Sequence, residues 1–180
     1  QAGAIGGVLG GIAMSAWGGF KRKVHGVLGG WIVCSFFFAL MGLGTWVPFW
    51  VATNALSALF IPLINGSNQA IWQTKVAPDV QGRVFSARTL IAWMTNPISP
   101  LIAGTLADYV LEPAMRAPSG LSSALGWLVT PGPGAGMGLL IFFSCLGGIL
   151  AGLVGYFIHP IRDAEDILPD HDRMVPAEAA

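Results

Sequence analysis

The sequence predicts an all-α membrane protein with five transmembrane helices, and three observations carry that reading. Charge is scarce: Asp, Glu, Lys and Arg make up 10% of the 180 residues, against 54% hydrophobic. A soluble domain carries about 25% charged residues, and less than half of that cannot cover a water-facing surface. The apolar residues also come in runs of about 20, the length that crosses roughly 30 Å of hydrocarbon at 1.5 Å per residue. Third, glycines recur inside those runs at the spacing that lets helix backbones approach closely, where lipid offers no hydrophobic drive for association.

The spans fall at about 2–20, 24–43, 46–72, 85–109 and 137–158. The first holds Gly3, Gly7 and Gly11 at four-residue spacing, with Gly6 and Gly10 beside them. The second holds Gly26 and Gly30, and the fifth Gly148, Gly152 and Gly155. The third would be about 40 Å long as one helix, so a tilt, a kink near Pro62 or projection out of the bilayer is expected. The fourth carries the stretch NPISP, in which Pro97 and Pro100 break the backbone ladder; Thr95, Asn96 and Ser99 can answer the freed groups. Residues 160–180 form a polar tail with Asp163, Glu165, Asp166, Asp170, Asp172 and Glu178, read as a solvated, mobile cytoplasmic segment. The bundle is thus 1–159 and the tail 160–180.

With five spans, Lys21, Arg22, Lys23, Lys75, Arg83, Arg88, Arg162 and Arg173 fall on one face and Arg116 on the other. The positive-inside rule makes the first face cytoplasmic and leaves the C-terminus there. The stretch KRKVH, between two apolar runs, is then a short cytoplasmic turn. It serves either as a topology anchor or as a gating element.

The net charge of zero leaves no electrostatic footprint for nucleic acid. Cys34 and Cys145 lie inside apolar runs and read as small hydrophobes. The chain opens on Gln1 without a charged n-region or cleavage site, so no signal peptide is read, and a fragment of a longer protein is expected. No His, Cys and carboxylate group has metal-ligand spacing, and no GxSxG or phosphate loop occurs. The reading is therefore not an enzyme, with no cofactor and no metal.

The polar residues inside the spans point further. Asn54, Asn65, Asn68 and Gln69 in the third span are costly against lipid, and their spacing puts them near one helical stripe. Asn96 joins them from the fourth. They are either glue between helices or the wall of a substrate cavity, with Pro62, Pro97 and Pro100 as kinks. No titratable residue lies deep within a span; Asp108 is the nearest.

Three stretches carry a resemblance. GGIAMSAWGGFKRKVHG is similar to the degenerate cytoplasmic motif between helices eight and nine of major facilitator superfamily transporters. NGSNQAIWQTKVAPDVQGRVFSAR resembles the end of helix ten, the next loop and the start of helix eleven. PLIAGTLADYV resembles the outer end of helix eleven. Together they cover residues 11 to 110 and look most like the macrolide-efflux-type branch of drug exporters. The family motif has an acid four positions after its first glycine; here Ser15 follows Gly11. The resemblance implies helices eight to twelve of a twelve-helix bundle, and ion-driven efflux of small amphipathic compounds by alternating access. Lys21, Arg22, Lys23, Asp79, Gly82, Arg83 and Arg88 would lie in its cytoplasmic gating loops. The implied partners are the lipid bilayer of the cell membrane, a small-molecule substrate and a missing N-terminal half. The competing reading is a five-span scaffold or subunit of a larger membrane complex.

Overall fold

The computed structural model describes residues 2–116, 120–129 and 132–171. Among them the chain is helical throughout, with no strand. Helix α1 spans Ala2–Trp17 and α2 spans Lys23–Leu43, followed by α3, Val47–Leu59, and α4, Ile61–Lys75. Next come α5, Pro78–Met94, and α6, Ile98–Leu106, which runs through a π turn at Ala107–Leu111 into α7, Glu112–Arg116. The last elements are α8, Gly120–Leu125, α9, Ala135–Phe157, α10, His159–Arg162, and α11, Ala164–Ile167.

Four helical stretches are long and apolar enough to cross a membrane: Lys23–Leu43, Val47–Lys75, Pro78–Arg116 and Ala135–Phe157. The chain is a multi-pass helical membrane protein. The expected first span is the 16-residue apolar helix α1, about 24 Å long and so shorter than the hydrocarbon layer. It stops at Gly18 and Gly19, whose φ angles of +77° and +76° no ordinary residue holds easily.

The expected long third span is broken at Phe60, two residues before Pro62. Pro62 has no N–H to give to the Ala58 carbonyl, and the Phe60 amide turns back to Ser57 at 3.2 Å. The helix expected from 85 starts at Pro78. Proline fits a first helical turn, and Asp79 there faces the positive end of the helix dipole. The charged residues taken for a loop are thus helical.

Helix α2 is the hub. Gly26 and Gly30 face Ser67 and Ile64 of α4, while Leu28, Ile32 and Ser35 receive Gly155, Gly152 and Gly148 of α9. At the far end, a methyl on Gly42 would come within 2.6 Å of the Gly138 carbonyl. Helix α1 docks on α3 in the same way: a methyl on Gly6 or Gly10 would strike the Ala55 or Leu59 carbonyl. Gly7 and Gly11 meet nothing and lie on the open side. A small apolar core of Met115, Val129, Ala135 and Leu139 ties α7 and the segment after α8 to the start of α9. The two cysteines are free and half-buried.

The glycine seam between α1 and α3 yields a paired expectation. Gly10→Val should lower the thermal stability of the purified chain by about 1 to 3 kcal/mol through overpacking, and Gly11→Val should leave it nearly unchanged. Equal effects in thermal unfolding would remove the seam from the account.

Candidate functional site

Helix α4 is amphipathic in a way that the bilayer does not tolerate. On one side, Phe60 stacks on Phe37 with ring centroids 6.3 Å apart, and Ile64 and Ser67 pack on α2. The Ser67 hydroxyl is buried there with no hydrogen-bond partner among the described residues. Helix α1 takes an adjoining strip, at Asn54, Ala55, Leu59 and Gly66. At 100° per residue, Asn65, Asn68 and Gln69 then lie on the flank away from α2. Asn65 and Gln69 are exposed and Asn68 is half-buried.

The structure therefore separates Asn54 from the other three. Its Oδ1 lies over Gly3, in the seam between α1 and α3. The stripe read from spacing treated 54–69 as one uniform surface, but α1 covers only its first part.

Helix α5 closes on the amide flank at one end only. Gln81 Nε2 donates to the Val76 carbonyl at 2.8 Å, and the Arg88 guanidinium sits 5.5 Å over the Trp72 ring. Trp72 shares the amide flank by the same wheel geometry. Beyond that corner, α5 and α6 bury no residue and pack closely on neither α4 nor α2. The amide flank of α4 is therefore left uncovered by α5 and α6 beyond that corner.

Asn96 is exposed at the break between α5 and α6. The Trp93 carbonyl, freed by Pro97, takes the Asn96 amide at 3.2 Å. The nearby hydroxyls go elsewhere: Thr95 Oγ1 donates to Ala92 O and Ser99 Oγ to Thr95 O. Pro100 sits in α6 and, like Pro97, is exposed. A separate cavity of about 440 Å³ opens at the far end, between Met41, Thr45, Trp50, Ala135 and Ile141. None of the expected cavity residues lines it.

The expected gating set divides. Lys21, Asp79, Gly82 and Arg83 are exposed. Arg22 and Lys23 meet acids from the C-terminal segment: Arg22 donates to Asp166 Oδ2 at 2.8 Å, and the Lys23 backbone amide donates to Glu165 Oε1 at 2.8 Å. The first part of the tail is therefore docked helix, not free chain; 172–180, with Asp172, Arg173 and Glu178, lies outside the described residues. Sequence reasoning did not assign Asp163, Glu165 and Asp166 to any site. Their opposite sign to the KRK turn was the available signal.

Asp163 is the centre of this cluster, its side chain 15% exposed. Arg162 hydrogen-bonds it at 3.1 Å, His159 Nε2 lies at 3.2 Å and Arg22 at 3.6 Å. The bond from Arg162 is the main reason that its carboxyl is held below the ordinary value, with Arg162, His159 and Arg22 charges adding to it. A depressed carboxyl contributes stability above its ordinary value of about 3.9 and loses it as pH falls through the lower folded value. Hydrogen exchange at 159–166 should therefore rise as pH drops below about 4, once corrected for intrinsic rates. Asp163→Asn should remove that acid dependence; an unchanged profile would contradict it.

No family model matches the chain, and no solved structure does. Two curated proteins do. The chain is 25% identical over 109 residues to Macrolide efflux protein A of Streptococcus pyogenes, and equally to its counterpart in the serotype M6 strain of that species. The match covers 59% of this chain and 27% of each relative, so it spans about a quarter of the proteins it resembles.

Proposed function

We propose that the chain is part of a secondary transporter that exports small amphipathic compounds, in the manner of a major facilitator superfamily carrier. The similarity to Macrolide efflux protein A carries this reading. In it, α1 belongs to helix eight and α2 to helix nine. Helices α3 and α4 make helix ten, α5 to α7 make helix eleven, and α9 makes helix twelve. The cation-rich end, with Lys21–Lys23 and Lys75, faces the cytoplasm by the positive-inside rule. The substrate path runs along the uncovered flank of α4, beside Asn65, Asn68 and Gln69. Amides cost too much against lipid, and on this flank they meet a watery passage instead. The bare surface of α5 and α6 receives the rest of the carrier. An ion gradient drives two helical halves to rock about that path.

The test is efflux by the full-length protein that carries this chain, with a macrolide as probe. Asn65→Leu with Asn68→Leu should abolish export while the protein still reaches the membrane in normal amount. Undiminished resistance of the cells would remove these residues from the path. Absence of any export by the unaltered protein would favour the scaffold or subunit reading, in which α5 and α6 dock on another protein.

A further inference from the structure

The segment 159–171 does more than contact the KRK turn. It reaches two helices that run in opposite directions and joins their ends. Glu165 is the link. Its side chain accepts the backbone amide of Lys23, at the first turn of α2, at 2.8 Å. Its own carbonyl accepts Lys75 Nζ, in the last turn of α4, at 2.6 Å. The same ammonium also donates to the Leu168 carbonyl and, at 2.8 Å, to Asp170 Oδ1. Lys75 is thus enclosed by three oxygens of one segment, with its side chain only 12% exposed. His171 Nδ1 lies 3.1 Å from the Thr74 carbonyl beside it. On the α2 side, Arg22 pairs with Asp166 and Asp163. The segment itself continues α9 after Ile158.

We infer that 159–171 is a conformational clamp, which fixes the ends of α2, α4 and α9 in one arrangement at the cation-rich end. Three features favour a clamp over general packing. The contacts are polar and charged, and α10 and α11 bury no residue, so little apolar area has to be exposed on release. The Arg22–Asp166 pair is 53% and 61% exposed, so salt and water weaken it. Finally, Glu165 touches both α2 and α4, so the position of this short segment is coupled to both helices. The clamp does not rest on the efflux reading. Under that reading all three helices belong to one half, which the clamp holds together as the halves rock.

The experiment compares hydrogen exchange in the full-length protein, reconstituted in nanodiscs, with that of an Asp163→Asn, Glu165→Ala, Asp166→Asn, Asp170→Ala variant. Exchange should rise roughly tenfold at 22–27 and 72–76 and stay unchanged in the glycine seam at 30–42. Spin labels at Lys21→Cys and Gln73→Cys, in a background with Cys34→Ala and Cys145→Ala, should show one narrow distance that broadens in the variant. Arg22→Glu should broaden it too, and Arg22→Glu with Asp166→Arg should restore it. Unchanged exchange and distance overturn the clamp. A uniform rise that includes 30–42 also overturns it, since the segment would then be ordinary scaffold. Because the readout is conformation, failure here leaves the export assay untouched.

Discussion

Close backbone approach at glycine is the constraint on which the rest of this structure depends. Apolar side chains gain nothing by leaving lipid for a neighbouring helix, so van der Waals contact between backbones has to hold the bundle. Helix α2 meets α4 through Gly26 and Gly30, and α9 through Gly148, Gly152 and Gly155. The mutual contact of Gly42 and Gly138 closes the far end. A price follows at Ser67: its hydroxyl is pressed against Gly26 and finds no acceptor among the described residues. Such a contact persists only where surrounding packing enforces it.

This seam sets the direction of everything else. With α2 fixed between α4 and α9, the cationic turn at its start lies beside the end of α4 and the end of α9. The acids after α9 then reach the turn. The same placement turns the amides of α4 away from α2. The polar flank and the charged end are therefore two consequences of one packing choice.

Much of this was legible in the sequence, for local reasons. Helix class, the apolar runs, and the glycine stripes depend on composition and short periods. The break at Phe60 follows from Pro62, whose missing N–H acts one turn back. What was not legible depends on distant partners. Arg22 and Asp166 are 144 positions apart, and beyond their opposite charge no local pattern pairs them. The start of α5 at Pro78 was hidden because charges near a helix start look like loop. The split between Asn54 and Asn65 was hidden because spacing gives an angle on one helix, not the path of α1 across it. Spacing could also not show which glycines, Gly6 and Gly10 or Gly7 and Gly11, would find a backbone opposite.

If the amide flank of α4 borders a watery substrate path and not lipid, a water-soluble reagent reaches it. Cysteine accessibility tests it most directly. Asn65→Cys and Gln69→Cys, in the full-length protein within intact membranes, would be reacted with a water-soluble maleimide. Leu90→Cys on the exposed face of α5 would serve for comparison. Labelling at Asn65 and Gln69 should be rapid, and a macrolide should slow it. Failure of both positions to react, or labelling that the macrolide leaves unchanged, would contradict it.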